Sequence, residues 1–291
     1  MKKIVCLMFL CSVVFASDVG TNKGFVGDDN TVHKLRFNAE APQICSQPYL
    51  FALAEGDISG HTIWSKIGFC PLLDTTERDI WSKGGAYVFP TVSTSMAVVS
   101  DNANDTLAGT GAQIAYIEYL DTNYNQYTTT IAFSGLAYST FTPTNILRIN
   151  NFWIHQSGTG RKAAGNLSLV DTATHAIVYG YITAGFTYSR SSIYTVPAGK
   201  TLYVVTGQMG YGYNSNSTHY ARLYFRATQA NGTRNTEGTF YPKIEVISSN
   251  NSVSVPDTTP DVYMEKTDIK CSGISTFTSG VVTVYFEGWI E

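Results

Sequence analysis

Charge is what this sequence has least of. Asp, Glu, Lys and Arg make up 14% of its 291 residues, 22 acidic against 19 basic, for a net charge of −3. The basic residues are scattered rather than clustered, so no face is marked for a phosphate backbone, and nucleic acid is excluded as an expected partner. Catalytic signatures are absent too: there is no nucleophile elbow, no phosphate-binding loop and no HExxH pair. Gly109-Thr110-Gly111 leads into a strand pattern, not into the helix a dinucleotide site requires. Five cysteines are present, but Cys6 and Cys11 lie in the first apolar run. Cys45, Cys70 and Cys271 remain, an odd number with no CxxC spacing, which indicates neither a zinc site nor a disulfide framework. Three buried thiols is the preferred reading, and a Cys45 to Cys70 bridge is the alternative that export would allow.

Helical periodicity is also scarce. One short stretch, Leu50 to Gly56, reads as a helical turn or two, and without long helices between strands a parallel α/β fold is disfavoured. What the chain has instead is aromatics, 13% of residues, with 19 Tyr against 4 Trp. Tyrosine lays its ring on a sheet and keeps its hydroxyl wet, which suits an extracellular or particle-surface β protein. From Ser95 onward, short β-branched and aromatic runs alternate with Gly, Asn, Thr and Ser: Gln113 to Leu120, Thr128 to Phe133, Ile146 to Ile154, Thr201 to Tyr213, Tyr220 to Ala227 and Val281 to Ile290 are the clearest. A further strand is expected over Ala86 to Phe89. This spacing predicts an all-β fold, an antiparallel sandwich or jelly roll, with a small and mostly irregular N-terminal region.

The expected organisation has three parts. Residues 1–17 carry a basic start, an apolar run of about a dozen residues and small residues at Ala16-Ser17, the pattern of a secretory signal. Residues 18–90 form an N-terminal arm and packing region, and residues 91–291 the β-sandwich region, with a sub-domain break near 185–200.

The candidate sites reduce to turns on inspection. Asp121, Asn123 and Asn125 have the alternate spacing of a calcium loop, but Gln126 stands where a glycine is needed and Ala132 where the bidentate Glu is needed. The segment is read as a hairpin turn. Asp101, Asn104 and Asp105 are read as loop formers, and Gly109 and Gly111 as sources of left-handed freedom. None of the five histidines (33, 61, 155, 175, 219) has a partner at ligand spacing, so no metal or cofactor is expected; His61 is expected to bond a backbone group and fix a turn. A carboxylate pair for glycoside hydrolysis could lie far apart in sequence, yet the acidic residues fall mostly at turns. An enzyme is the minority reading. Tyr211, Tyr213, His219 and Tyr220 surround a Ser- and Asn-rich stretch, a composition suited to adaptable contacts, and mark a candidate receptor-contact tip.

Five patches, in order, carry a resemblance. They are GDISGHTIWSKIG at Gly56 to Gly68, ERDIWSKGGAYVFP at Glu77 to Pro90, SDNANDTLAGTGAQ at Ser100 to Gln113 with LDTNYNQ at Leu120 to Gln126, YTVPAGKTLYV at Tyr194 to Val204, and EKTDI at Glu265 to Ile269. Together they resemble a family of β-rich structural proteins encoded by tailed bacteriophages, notably from marine and metagenomic sources, over roughly Gly56 to Glu291. The resemblance implies a non-enzymatic virion component, a capsid decoration, head-fibre or tail-associated protein. Its partners would be further copies of itself, other virion proteins and a host surface glycan or receptor, and it brings no catalytic residues. The motifs also make architectural sense, with Val196 to Lys200 as a turn and Trp81, Gly84, Gly85 and Tyr87 as a packed corner. The signal-like segment departs from a cytoplasmically assembled particle, and supports the alternative of a secreted bacterial adhesin or carbohydrate-binding module, extracellular after cleavage.

Overall fold

The structure is a computed structural model that describes residues 24–26, 31–37, 42–230, 233–234 and 238–291. The signal-like segment 1–17 lies outside the described residues. The chain divides into two compact units, Met1–Ile63 and Trp64–Glu291. In the first, β1 (Gly24–Val26), β2 (Thr31–Phe37) and β3 (Pro42–Pro48) form an antiparallel sheet in that order, followed by one short helix, α1 (Tyr49–Ala54). His61 accepts or donates a 2.5 Å hydrogen bond with the Tyr49 hydroxyl. One partner found for it is thus a side chain.

The second unit is nearly all antiparallel strand, as the alternating pattern requires. Its first strands are β4 (Thr62–Leu73, with Thr62 and Ile63 in the preceding unit) and β5 (Arg78–Asp79). Then come β6 (Met96–Ser100), β7 (Ala112–Leu120), β8 (Gln126–Ala132), β9 (Ser139–Thr140), β10 (Arg148–Ser157), β11 (Leu167–Asp171) and β12 (Val178–Ile182). These seven make two sheets, β10-β7-β8 and β12-β11-β6-β9. Their inner faces share one core, in which Val98, Ile117, Phe133, Phe152, Leu167, Leu169 and Ile182 are buried together.

The chain then supplies β13 (Tyr194–Thr195), β14 (Leu202–Gly212), β15 (Ala221–Ala227), a ribbon of β16 (Gln229–Ala230) with β17 (Thr233–Arg234), β18 (Tyr241–Ser248), β19 (Asn251–Tyr263), β20 (Asp268–Ser275) and β21 (Gly280–Ile290). The sheets β19-β14-β21-β4 and β13-β20-β15-β18, with β5 on β20, enclose a second core. Phe225, Phe286, Tyr263, Leu73, Val284 and the free thiols Cys70 and Cys271 lie in it. Residues 64–81, within the expected arm and packing region of 18–90, thus give β4 and β5 to this second sandwich. Burial pushes the Cys271 thiol well above its ordinary range and raises that of Cys70 as well, which fits inert core thiols. The Cys45 side chain falls outside the described residues.

Two expectations about strands fail for identifiable reasons. Ala86 to Phe89 joins no sheet, because the Tyr87 amide donates to Asp79 Oδ2 at 2.6 Å instead of to a neighbouring strand. The corner itself is as read: Trp81 and Tyr87 meet edge to face at 5.2 Å, and Gly84 and Gly85 take φ of 73° and 77°. The strand expected over Val262 to Glu265 is the end of a much longer one, β19, whose pattern Pro256 and Pro260 interrupt; it accommodates them as an edge strand paired, among the described residues, with β14 alone. The Pro197 to Lys200 turn closes with the Lys200 amide on the Pro197 carbonyl at 3.2 Å and Gly199 at φ 70°.

Candidate functional site: the seam between the two sandwiches

The polar loops come first, since the sequence singles them out. Asp121 Oδ1 accepts from the amides of Asn123 (2.8 Å) and Asn125 (2.9 Å), so this segment is the β7–β8 hairpin turn. Asp105 is fully buried and saturated. Its Oδ1 accepts from the amides of Ala112 (2.6 Å) and Ala164 (2.9 Å), and its Oδ2 from the Ser100 hydroxyl (2.6 Å) and the Gly165 amide (2.8 Å). Asp101 in turn accepts from the Asn166 amide (2.7 Å) and side chain (2.8 Å). These carboxylates knot two loops at one end of the first sandwich. The glycines serve the knot by close approach, since neither has a positive φ: a Cβ on Gly111 would sit 2.1 Å from Asp105 Oδ1, and one on Gly109 2.0 Å from the Asn104 carbonyl. Among the described residues no group of three His, Cys, Asp or Glu is placed to hold a metal.

The proposed tip needs one correction. Tyr211 is 2% exposed, lies in the second core and bonds the Ser275 hydroxyl at 2.5 Å. Its inward orientation follows from a register irregularity between Val204 and Thr206, which shifts the alternation so that Met209 and Tyr211 face the same core as Leu202 and Val204. Tyr213, His219 and Phe277 do gather, with Tyr213 edge to face on His219 at 5.2 Å and His219 4.6 Å from the Phe277 ring. Tyr220 is 44% exposed.

The richest chemistry lies where the two sandwiches meet, and it is built around Arg148, Asn150 and Asn151 of β10. Arg148 forms a buried bidentate pair with Asp268 of β20, Nε to Oδ1 at 2.8 Å and Nη2 to Oδ2 at 3.0 Å. It also donates to the Pro90 carbonyl at 2.5 Å. The Thr195 hydroxyl completes the carboxylate at 2.6 Å. Two positions on, a bulge between Ile149 and Asn151 opposite β7 brings two adjacent asparagines into use at once. The Asn150 carboxamide is spent on β13, donating to the Thr195 carbonyl (2.9 Å) and accepting from the Thr195 amide (2.9 Å).

Asn151 is committed differently. Its Nδ2 donates to Glu118 Oε2 at 3.1 Å, and its Oδ1 accepts from Lys66 Nζ at 3.0 Å. Lys66 reaches this point from β4 of the other sandwich, 8% exposed, and also donates to the Asn150 carbonyl. Its ammonium lies 5.7 Å from the centre of the Tyr194 ring. Burial pushes its pKa down to about 8 against the opposing pull of the Glu118 charge. An amine of that kind is substantially neutral at mildly alkaline pH. The group borders a cleft of about 380 Å³ lined by Ser65, Lys66, Asn151, Tyr188, Ser191 and Tyr285. No local motif signals this arrangement, because its three members stand on three strands far apart in sequence. The one available hint is a lysine in an otherwise apolar-alternating strand, Trp64 to Leu73.

Comparison with known proteins adds little to this geometry. No family model and no curated protein matches the chain. Among solved structures, the VP2 subviral particle of infectious bursal disease virus aligns at 13% identity over 79% of this chain and 76% of that one, with a TM-score of 0.13. The Gt strain of the same virus aligns at 10% identity over 84% and 81%, with a TM-score of 0.12. At those scores the alignments carry no argument about fold or role.

Proposed function

We propose that the chain is a non-enzymatic structural protein of a virus particle, a surface decoration, fibre or tail-associated component that works by self-assembly and by contacts with other virion proteins. The ordered sequence patches supply the class. The structural observation that carries the assembly reading is the β8 edge. Among the described residues β8 pairs with β7 alone, and its sequence Gln-Tyr-Thr-Thr-Thr-Ile-Ala has no charge and no proline. Edges are ordinarily blunted by lysine, proline or bulges, because a bare row of backbone groups templates another strand. An unprotected seven-residue edge therefore suits a surface that a second copy covers. Tyr213, His219 and Tyr220 at the far loop would serve host-surface contact in this reading.

Light scattering on the purified chain across a concentration series is the test. The expected result is a concentration-dependent oligomer that Thr128→Lys with Thr130→Lys, both exposed on one face of β8, reduces to monomer. A wild-type monomer at every concentration would overturn the reading.

A further inference from the structure

Lys66, Asn151 and Glu118 form a chain of contacts in which an amine touches a carboxamide and the carboxamide touches a carboxylate. We propose that Lys66 Nζ and Asn151 Cγ join in an intramolecular amide bond, with loss of ammonia and with Glu118 as the proton carrier. Four observations point to this pair. Nζ already rests on Asn151 Oδ1 at 3.0 Å, one bond from the carbon it would attack. The Asn150 carbonyl is a second acceptor for the amine. Glu118 Oε2 sits on the nitrogen that would leave, at 3.1 Å. Finally, the neighbouring Asn150 is unsuited to the same reaction, since both ends of its carboxamide are held by the Thr195 backbone.

The step balances without any other reactant. The lone pair of the neutral amine forms the N–C bond to Cγ, and one of its two protons passes to Glu118. Glu118 delivers that proton to Nδ2, the Cγ–Nδ2 bond breaks, and the nitrogen departs as ammonia into the adjoining cleft. Carboxamide and amine become a secondary amide, and Glu118 returns to its starting state. The reaction is a single self-modification rather than a turnover, so it is compatible with a structural protein and independent of whether that protein belongs to a virion. Its product would tie β4 of the second sandwich covalently to β10 of the first. The titratable groups that face Lys66 are Glu118 from β7, Tyr194 from β13 and, around the cleft, Tyr188 and Tyr285. Burial lowers the lysine toward neutrality, so bond formation should quicken as the pH of folding is raised from 6 to 9.

Peptide mapping of the full chain decides the matter. A cross-linked pair containing Lys66 and Asn151 is expected, with a mass about 17 Da below the sum of its parts, the ammonia lost; trypsin would no longer cut after Lys66. Asn151→Ala and Lys66→Arg should give separate linear peptides. Glu118→Gln, which keeps a hydrogen-bonding group beside the amide but cannot carry the proton, should leave most of the chain unlinked. Since a variant can fail by misfolding, circular dichroism checks that each is folded, and the pH dependence of ammonia release by wild type folding for the first time from a denatured, unlinked preparation gives a readout that does not rest on variants. Unmodified Lys66 and Asn151 peptides from correctly folded wild type would overturn the proposal, as would a Glu118→Gln chain that links as fast as wild type.

Discussion

Asp105, in the loop between β6 and β7, and Lys66, on β4, are both buried charges, and the protein satisfies them in opposite ways. Asp105 collects four donors, three of them backbone amides, from three separate segments. Every acceptor direction is filled, and the carboxylate is inert structure. Among the described residues Lys66 meets only neutral oxygens at hydrogen-bond distance, a backbone carbonyl and a carboxamide, while the Glu118 carboxylate stands beyond the carboxamide. A cation so placed is destabilised, and the same desolvation that penalises it makes its neutral form available for chemistry. The lesson is that burial alone does not separate a structural charge from a reactive one. What separates them is whether the partners complete the charge or leave the neutral form favoured.

The largest effects are expected where completed charges are broken. Replacing Asp105 by Ala strands several buried amides and should cost about 3–5 kcal/mol of unfolding free energy, read by denaturant titration, with the loss focused on the first sandwich. Removing the guanidinium by Arg148→Met leaves Asp268 buried without its cation, and a similar loss of about 3–5 kcal/mol is predicted. Lys66→Met should behave in the opposite sense. Compared with Asn151→Ala, which is equally unable to form the cross-link but retains the buried ammonium, Lys66→Met should be the more stable by about 1–4 kcal/mol in the same titration. Equal stability of the two would mean that the seam solvates the ammonium as fully as the knot solvates its carboxylate.

Smaller effects sharpen the same contrast. Gly111→Ala intrudes on Asp105 Oδ1 and should cost about 1–3 kcal/mol, seen as a lowered thermal midpoint. Asp171 offers a third case, a carboxylate at the β11–β12 turn. Burial alone would raise its pKa, but bonds from the Ile177 and Thr174 amides and the Thr174 hydroxyl outweigh this and bring it to about 2. Its folded value lies below the unfolded value of about 3.9. The stability it contributes is therefore complete above the unfolded value and is lost as the pH falls from about 4 through 2. Acid denaturation of wild type and Asp171→Asn should accordingly converge below pH 2 and differ by about 1–2 kcal/mol at neutral pH.

Much of the fold was legible from local pattern. The strands of the first sandwich, the Asp121 hairpin, the Trp81 corner and the turn at Gly199 all follow from residues adjacent in sequence, whose alternation and turn chemistry act over a few positions. What escaped depends on irregularity or on distance. Tyr211 looks outward if the alternation of Leu202 and Val204 is simply continued, and the register break in β14 reverses that orientation. Asp105 reads as a loop former because two of its donors, Ala164 and Gly165, arrive from the 158–166 loop. The Lys66–Asn151–Glu118 set needs two sandwiches to meet and a bulge to place Asn150 and Asn151 on different partners. Neither requirement leaves a trace in a single stretch of chain, which is why the polar loop stood out in the sequence and the seam did not.

The central claim is that the Lys66 amine is held in a desolvated, reactive state that the knot denies to its own charge. The most direct measurement is an NMR titration of the Lys66 side chain in the Asn151→Ala protein, where the amine cannot be consumed. A pKa near 8 is the predicted result. A value at the ordinary lysine position of about 10.5 would contradict the account.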